Sequence, residues 1–297
     1  MTTPWRVVDL LSFEGTVTAG RGQLRVGDDG TVALADVLAV LVGPKCSLHA
    51  SVFERAAVFG VALLHCDWKG EPVSASFGWS SGYRVATRHR AQAELSLPRQ
   101  KQGWQRIVQA KIRNQAEVLD HLARTGGARL ADLARSVRSG DPTNTEAQAA
   151  RIYWRSLFGH TTFRRLPGSR SGPNGALDYG YAVLRSLCLR SIAAAGLWPS
   201  LGIWHRSRDN PFALVDDLIE PFRPAVNLIV VREHPTSELD KETKVAIVAV
   251  VSARFDAAGH TVATCIEQFA QNLGAYVEGD APRLDPPRFK LHDSGPG

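Results

Sequence analysis

The stretch GWQRIVQAKIRNQAEVLDHLART, residues 103–125, marks the point where the character of this sequence changes. Its apolar residues recur every three to four positions, which is typical of an amphipathic α-helix. Further stretches with helical spacing, bounded by glycine and proline, occur at 145–159, 176–196 and 261–279. Together they predict an all-α region that makes up most of the chain.

The residues before this stretch have a shorter period. Glycine- and aspartate-rich turns, of which GDDG (27–30) is the clearest, separate the β-prone segments RVVDLLSFEG, TVTAGRGQLRV and TVALADVLAVLVG, as expected for antiparallel hairpins. SLHASVFERAAVFG (47–60) then indicates a short helix and VALLHCD (61–67) a buried strand. The predicted fold class is therefore α+β. We expect a small N-terminal antiparallel β-sandwich-like domain at 1–75, followed by a larger all-α domain at 76–297.

Composition excludes several classes of protein. Hydrophobic residues make up 44% of the chain and charged residues 22%, which is ordinary for a globular protein and unlike a disordered one. No apolar run approaches the roughly 18 to 20 residues that span a bilayer, and the N-terminal residues do not resemble a secretory signal. The 4 cysteines lie far apart, which indicates buried thiols rather than a zinc site or disulfides. We expect a cytoplasmic protein without membrane association.

The positive charge is concentrated in the middle of the chain. The whole sequence has a net charge of +6, but residues 81–140 hold 12 Lys+Arg against 4 Asp+Glu, a net of +8. Such a basic cluster is typical of a protein whose partner is a polyanion, although a solvated helix face would have the same composition. The DNA-binding residues that we predict from it lie in YRVATRHR and PRQKQGWQR and are Arg84, Arg88, Arg90 and Lys101.

A histidine, His205, is followed by three acids in GIWHRSRDNPFALVDDLIEPFRP, residues 202–224. The part FALVDDLIEPF is predicted to be helical until its prolines end it. On such a helix Glu220 shares a face with Asp217, three residues before it, and with Asp216, four residues before it. Acids on one face need a cation, which could be a metal ion or one of the nearby arginines, Arg206, Arg208 and Arg223. Both explanations remain open at this point.

Another acid stands at the start of a predicted helix in DPTNTEAQAARIYWRSLFG, residues 141–159. Thr143, Asn144 and Thr145 are good N-cap residues, which would place Glu146 in the first turn. An acid in the first turn compensates the helix dipole, and this is one explanation of Glu146. The alanines that follow favour close packing, so an acid on this buried helix could instead face a specific partner.

Three segments in a fixed order and spacing form a set: EAQAARIYWRSLFG (146–159), NGALDYGYAVLRS (174–186) and GIWHRSRDNPFALVDDLIEPFRP (202–224). The set resembles the signature segments of the CRISPR-associated adaptation integrase family, the first-numbered Cas protein, in its type II branch. The resemblance extends from residue 1 to about residue 280. It departs from the family at Asp178, where many relatives have asparagine in an N-Y-G-Y run, which leaves the local packing there open.

The resemblance implies the residues of a metal site. The metal-binding glutamate of the family falls on Glu146, its histidine on His205 and its final acid on Glu220, and an acid present in some members falls on Asp217. The cofactor would be Mg²⁺ or Mn²⁺, which one imidazole and several carboxylates suit. Glu146, His205 and Glu220 would also be the catalytic residues, because such an ion polarises a phosphodiester. Arg206, next to the histidine, joins the predicted DNA-binding residues.

The resemblance also implies a function and partners. It implies a CRISPR adaptation integrase that inserts captured DNA fragments into the CRISPR array by metal-dependent strand transfer, with double-stranded DNA as both fragment and repeat. The protein would form a homodimer through its N-terminal β domain and a heterohexamer with the second CRISPR adaptation protein, Cas two. The alternatives are a metal-dependent nuclease acting on branched or double-stranded DNA and a non-catalytic architectural DNA-binding protein.

Overall fold

A computed structural model of the chain describes residues 6–28, 30–68, 70, 72–78, 84–159, 163–169 and 171–291. An N-terminal β region precedes a helical region, so the α+β class is confirmed. The β region contains two four-stranded sheets. Their strands are β1 (Arg6–Leu10), β2 (Gly15–Gly20), β3 (Gln23–Val26), β4 (Gly30–Ala33), β5 (Val37–Val42), β6 (Cys46–Leu48), β7 (Ala62–Cys66) and β8 (Pro72–Ser76).

The two sheets are mixed and not uniformly antiparallel as we expected. In the sheet of order β1-β5-β7-β8, strand β5 runs parallel to both β1 and β7, and only β7 and β8 pair antiparallel. In the sheet of order β4-β3-β2-β6, strand β3 is antiparallel to its two neighbours, whereas β2 and β6 are parallel. The hairpin predicted at GDDG is confirmed between β3 and β4.

The sequence of β5, VLAVLV, explains its parallel pairing. All its residues are buried. Val40 and Val42 belong to the core of the β region, while Ala39 and Leu41 face a larger core that is shared with the helices. Because a parallel strand covered on both faces has a continuous apolar run, β5 lacks the alternation that marks an antiparallel strand with one solvated face.

The helical stretches predicted from the sequence are present, including the short helix of the β region. The two longest helices pack against most of the others. The helices are α1 (Ala50–Phe59), α2 (Val85–Ala93), α3 (Leu97–His121), α4 (Gly127–Ser136), α5 (Thr145–Leu157), α6 (Gly172–Ala194), α7 (Ala213–Ile219), α8 (Arg223–Glu233), α9 (Lys241–Val248) and α10 (Val262–Glu278), with 3-10 turns at Leu34–Asp36, Glu220–Phe222 and Ala249–Ser252.

The helix predicted at FALVDDLIEPF ends at Ile219, before its prolines, but the chain stays helical beyond this point. Helix α7 passes into a 3-10 turn at Glu220, and α8 begins at Arg223 with Pro224 in its first turn. Proline is tolerated there because the N–H that it lacks would have no acceptor within the helix. The acids of this segment therefore lie at a junction between two helices rather than at a helix end.

The described residues after α10, 279–291, have no regular secondary structure but pack on α3. Leu284 and Phe289 are buried in the larger core. Asn114 of α3 accepts a hydrogen bond from the backbone N–H of Phe289 (2.9 Å) and donates one to the backbone oxygen of Pro221 (2.8 Å). One buried amide thus joins the C-terminal segment and the α7–α8 junction to the same helix.

The division of the chain near residue 75 stays a prediction. Leu41 and Leu64 of the β region lie in the same apolar cluster as the helices.

The cysteines are free thiols, of which Cys66, Cys188 and Cys265 are buried. No helix in the described ranges is both long enough and apolar enough to cross a membrane.

Gly180 is a position where α6 packs tightly against α8 and α9. A Cβ there would lie 3.1 Å from Ile247 Cγ2 and closer still to Val226 Cγ1. Gly180→Ala should therefore lower the free energy of unfolding by about 1–3 kcal/mol, measured by urea denaturation. Gly20→Ala is the matched control, since a Cβ at Gly20 meets no described atom within 4 Å. Equal stability of the two variants would contradict this account of the α6–α8 contact.

Candidate active site

The N-terminus of α5 fixes the backbone of Glu146. Asn144 is the N-cap, as expected, and its side chain accepts a hydrogen bond from Ala147 N at 3.4 Å. Asp141 caps more strongly, because its two carboxylate oxygens accept from Thr145 N (2.8 Å) and Glu146 N (2.9 Å). Glu146 therefore lies in the first turn of the helix, and its backbone is held by the hydrogen bond to Asp141. The sequence reasoning missed Asp141, although it stands only four residues before the helix.

Asp217 organises the loop that contains His205. It is fully buried and accepts hydrogen bonds from three consecutive backbone N–H groups, those of Ile203 (2.6 Å), Trp204 (3.0 Å) and His205 (3.3 Å). Gly202 precedes them, and a Cβ there would lie 2.7 Å from His205 O and 2.9 Å from Asp217 Oδ2. Only glycine fits this turn without displacing the histidine. Asp217 thus acts as the centre around which the loop is folded.

The imidazole of His205 is held in one orientation. Its Nδ1 lies 2.7 Å from Asp217 Oδ1, and its ring meets the ring of Trp104 edge-on at 5.5 Å. The hydrogen bond to Asp217 raises the pKa of His205, although burial opposes it. Because the carboxylate accepts at Nδ1, the neutral ring has its lone pair on Nε2. His205 therefore offers Nε2 as the ligand atom, and Asp217 acts as its positioning residue.

Burial raises the pKa of Asp217, and its hydrogen bond with His205 opposes that effect. We assign Asp217 as a carboxylate because donors surround both of its oxygens. Its oxygens are therefore already used by this chain. This arrangement favours Asp217 as the residue that holds His205 in place. It disfavours Asp217 as a direct metal ligand, which the resemblance to some family members implied.

Lys111 of α3 lies between Glu146 and Glu220. Its Nζ is 2.5 Å from Glu146 Oε1 and 2.5 Å from Glu220 Oε2, although only the contact with Glu146 is aligned as a hydrogen bond. The two carboxylate oxygens consequently lie within twice that distance of each other. Burial would lower the pKa of Lys111, but Glu220 and Glu146 together raise it, so the side chain is an ammonium ion. The sequence reasoning missed this residue.

Glu220 is compensated by a second cation. Arg223 Nε lies 2.9 Å from Glu220 Oε1, and the guanidinium stacks over the ring of Tyr181 at 4.5 Å. Burial alone would raise the pKa of Glu220, but Arg223 and Lys111 outweigh it and hold the pKa at about 2. Arg223 was one of the arginines expected near these acids, and the salt-bridge explanation is confirmed for this pair.

Asp216 is also paired. Its carboxylate lies 2.6 Å from the guanidinium of Arg185 and accepts a hydrogen bond from Asn210 Nδ2 at 2.8 Å. Arg185 comes from α6 and was not among the candidates. Arg206 instead bonds the side chain of Gln100. Each acid of the α7–α8 junction thus faces a cationic or imidazole side chain of the chain itself.

The donor set determines which ions these residues suit. Within the part of the chain that the structure describes, no three His, Cys, Asp or Glu side chains are grouped closely enough to hold a metal ion as they stand. Glu146 and Glu220 nevertheless fit a divalent ion, because ligand bonds of about 2.0–2.6 Å resemble their distances from Lys111 Nζ. Glu220 Oε2 is moreover buried and accepts no hydrogen bond from a described residue. The convergence of His205 on the same ion stays a prediction.

The predicted DNA-binding residues divide into two groups. Arg88 is buried and bonds Ala195 O (2.5 Å) and Glu278 (3.2 Å), so its prediction as a phosphate contact is wrong. Arg84 is partly exposed but pairs with the same Glu278 at 3.1 Å and with Asp280 at 3.3 Å. The short-range sequence pattern could not reveal these acids because they lie about 190 residues away, at the end of α10 and just after it.

The other predicted contacts, Arg90, Lys101 and Arg206, have exposed side chains. Lys101 lies beside the site, because a Cβ at Gly140 would touch both the Lys101 stem (3.1 Å) and Trp204 (3.3 Å), the residue before His205. Lys101 is on α3, ten residues before Lys111. Basic side chains therefore continue from the site along this helix.

A group of arginines that the sequence reasoning did not single out lies on the other face of α3. Burial lowers the pKa of Arg113, and the charges of its neighbours Arg288, Arg106 and Arg135 lower it further. Arg106 and Arg113 are seven residues apart and share one face of the helix, about 200° away from that of Lys111. Arg135 pairs with Asp132, but no acid among the described residues forms an ion pair with Arg113. The accumulation of like charges around Arg113 is unfavourable unless an anion approaches.

A cavity of about 630 Å³ lies between the β region and helices α6 to α8. Asp216 and Arg223 line it, so it adjoins the acidic junction. Its other charged and aromatic lining includes Arg165, Arg185, Tyr179 and Trp68. The cavity is thus a polar space next to Glu220 with guanidinium groups on its wall.

Comparison with known proteins bears directly on this site. The family model of CRISPR associated protein Cas1 matches residues 11–245 of the chain. The CRISPR-associated endonuclease Cas1 of Neisseria meningitidis serogroup C (strain 8013) is 37% identical over 243 residues, which cover 80% of this chain and 79% of that protein. The chain belongs to the Cas1 family. The type II branch suggested by the sequence is consistent with this relative.

Two solved structures share the fold. A casposase bound to its integration product has a TM-score of 0.76 at 18% identity, with 98% of this chain and 96% of that chain covered. A partial Cas6-RT-Cas1–Cas2 complex has a TM-score of 0.59 at 18% identity, with 97% and 100% covered. At this identity the likeness concerns the fold alone.

Two of the three Cas1-like segments of this chain meet α8 in one buried network. Asn227 accepts a hydrogen bond from Tyr181 Oη (2.6 Å) and donates one to Tyr153 Oη (3.2 Å), which joins α5, α6 and α8. Asp178, the departure from the Cas1 pattern, pairs with Arg165 and accepts the N–H of Gly168 at 2.9 Å. Asp178 therefore holds the segment before α6 in place. The local packing that the sequence left open is defined by these contacts.

Asp217→Asn should lower the pKa of His205, because the hydrogen bond to this carboxylate is the largest cause that raises it. The raised pKa stabilises the fold below the ordinary histidine value of 6.5, and this stabilisation is lost as the pH rises through the raised pKa. The variant should lose this contribution, which solvent screening keeps small because the His205 side chain is 39% exposed. The larger loss, about 1–3 kcal/mol, should come from the weaker hydrogen bonds that a buried amide accepts from the loop N–H groups. Titration of the His205 ring by NMR checks the shift, with exposed Asp132→Asn as control; an unmoved His205 pKa would contradict the assignment.

Proposed function

We propose that this Cas1-family chain is a CRISPR adaptation integrase that joins captured DNA fragments to CRISPR repeat DNA by metal-dependent strand transfer. One observation carries the proposal: the half-buried Glu146 and the buried Glu220, from separate segments, present carboxylate oxygens to a single cationic position. The charge of Glu220 also contributes to the raised pKa of His205, whose Nε2 is not engaged by a described residue. Two oxygens and one imidazole nitrogen are a suitable set for Mg²⁺ or Mn²⁺.

The residues of this chain have distinct roles in the proposed reaction. Glu146, Glu220 and His205 would hold the ion, which polarises the phosphodiester and orients its oxygens. Asp217 keeps His205 in the tautomer that leaves Nε2 open. Arg223, fixed on Tyr181, supplies positive charge in a buried setting, where it stabilises the charge that develops on the phosphate.

Strand transfer exchanges one phosphodiester for another. The 3′-hydroxyl oxygen of the fragment forms a bond to phosphorus, and the 3′-oxygen of the cut repeat strand leaves with the proton that the hydroxyl gives up. No side chain of this chain needs to become a covalent nucleophile, and no nucleotide is consumed. The exchange suits a site built of carboxylates and cations.

Duplex DNA would bind along both faces of α3. Lys101 of α3, Arg206 beside it and Arg90 of α2 are exposed. The arginines around Arg113 lie on the other face of α3. Guanidinium and ammonium groups without acidic partners are the usual contacts of phosphates. The cavity beside Asp216 has room for unpaired nucleotides that approach the site.

The partners would be a second copy of this chain and Cas2. Several large apolar side chains of the β region are exposed, namely Phe53, Val58, Trp68 and Val73, and such a surface favours a homodimer contact there. The neighbouring structure that contains Cas1 together with Cas2 supports a complex with the second adaptation protein. A heterohexamer would combine both contacts.

A nuclease is the second candidate. The Neisseria relative is named an endonuclease, and water in place of the 3′-hydroxyl would convert strand transfer into hydrolysis at the same residues. A purely architectural DNA-binding protein explains less, since it would not require two glutamates that converge on one largely buried lysine.

Glu146→Gln should abolish joining of a 3′-hydroxyl fragment to a repeat-bearing plasmid while leaving DNA affinity nearly unchanged. The amide keeps the shape of the side chain but is a far weaker ligand for a hard cation. Activity is measured with Cas2 and Mg²⁺ or Mn²⁺ by gel, and should fall by orders of magnitude.

Glu117→Gln is the matched control for this experiment. Glu117 also pairs with a lysine, Lys290, at 3.2 Å, and its side chain is 25% exposed against 27% for Glu146. Normal joining is expected for this variant. Joining by Glu146→Gln at the wild-type rate would refute the metal site, and loss of joining with retained cutting of branched DNA would favour the nuclease.

Lys101→Ala combined with Arg90→Ala should weaken binding to all duplexes alike. The slope of log affinity against log salt should flatten by about 0.9 for each lost phosphate contact, measured by fluorescence anisotropy. Arg88→Ala is the contrasting variant: it should leave the slope unchanged but lower stability, because buried Glu278 loses a partner. An unchanged slope in the double variant would assign these residues to a solvated face.

A further inference from the structure

Lys111 has an unusual position for a lysine. Its side chain is only 14% exposed, and its ammonium group contacts one glutamate from α5 and one from the α7–α8 junction. Among the described residues it has no other hydrogen-bond or ion-pair partner. All of its polar contacts are therefore with the two carboxylates that the proposed function assigns to a divalent ion.

The ammonium and a divalent ion would compete for one place. Lys111 Nζ lies 2.5 Å from an oxygen of each glutamate, which is within the range of about 2.0–2.6 Å for the bonds of Mg²⁺ and Mn²⁺ to oxygen. Two atoms cannot occupy the same point between the same oxygens. Either the ion enters and the lysine leaves, or the lysine stays and the ion is held elsewhere.

The two cations near Glu220 differ in how firmly they are held. Arg223 is fixed by its stacking on Tyr181 as well as by Glu220, and its planar guanidinium is rigid. Lys111 has a single charged group on a flexible four-carbon stem, and among the described residues its ammonium is held only by the two glutamates. Lys111 is therefore the cation that can withdraw without disturbing the helices.

We propose that Lys111 is an internal counter-cation, which holds Glu146 and Glu220 together before metal binds and leaves them when a divalent ion enters. The proposal rests on the proposed function, because it takes these glutamates as metal ligands. In the metal-free protein the ammonium neutralises two carboxylates that would otherwise repel each other and the DNA phosphates. A monovalent ion has the same charge as the ammonium and would not be attracted more strongly by the two carboxylates. The lysine therefore also favours binding of divalent over monovalent ions.

Lys111→Met tests this role directly. Methionine has a similar length without the charge, so the carboxylates lose their internal cation. We expect the dissociation constant of Mn²⁺, measured by electron paramagnetic resonance on the full chain, to decrease about tenfold or more, because the ion no longer displaces a competitor. The metal-free variant should melt at a lower temperature than the wild type, and the increase in melting temperature on adding Mn²⁺ should be larger.

Lys244→Met is the matched control. Lys244 is also partly buried and pairs with one carboxylate, Asp9, at 2.9 Å, but it does not contact Glu146 or Glu220. Its loss should leave the Mn²⁺ dissociation constant unchanged. If Lys111→Met binds Mn²⁺ no more tightly than the wild type, the competition is refuted.

The anomalous signal of Mn²⁺ in crystals of the wild-type protein provides a second test, which does not depend on the stability of a variant. We expect the ion between Glu146 and Glu220, with Lys111 Nζ withdrawn from both carboxylates. An ion bound by these glutamates while Lys111 still bridges them would overturn this inference and leave the proposed function intact. The absence of any bound ion at these glutamates, at saturating Mn²⁺, would refute both.

Discussion

The compensation of buried acids is the constraint on which this structure depends. Glu220 and Asp217 are almost wholly removed from water at a junction between two helices, and a carboxylate there is tolerable only beside cations or several N–H donors. Arg223 and Lys111 meet the first acid, and three backbone N–H groups with the His205 ring meet the second. Each of these contacts joins a separate segment to the junction. The contacts that hold the site in place are therefore also contacts that hold the helices together.

Helix α3 connects the site to the surfaces around it. Trp104 and Lys111 are seven residues apart on one face, where the first contacts the His205 ring and the second contacts the glutamates. Arg106 and Arg113 repeat that spacing on the opposite face, two residues along. A single helix therefore sets the distance between the candidate site and the basic surface. This explains why its sequence interleaves apolar and basic residues at short intervals.

Local features of the fold were predictable from the sequence, whereas long-range pairings were not. The GDDG hairpin, the buried β7 strand and the N-cap before Glu146 depend on neighbouring residues, and all three are confirmed. The parallel pairing of β5 is hidden because burial on both faces removes the alternation that marks register. Arg88 looked like a phosphate contact because its acidic partner lies on α10, far away in sequence.

In the candidate site, too, long-range contacts of single residues could not be predicted from the sequence. Resemblance to known segments singled out Glu146, His205 and Glu220, but it could not indicate Lys111, which stands in the unremarkable helical stretch QAKIRNQA. A lysine on a helix is ordinarily solvated, and only the fold reveals that this one is buried against two acids. Likewise, adjacent aspartates look equivalent in VDDL, yet Asp216 pairs with Arg185 while Asp217 folds a loop around itself. The helical twist alone separates their roles, since successive side chains of a helix point about 100° apart.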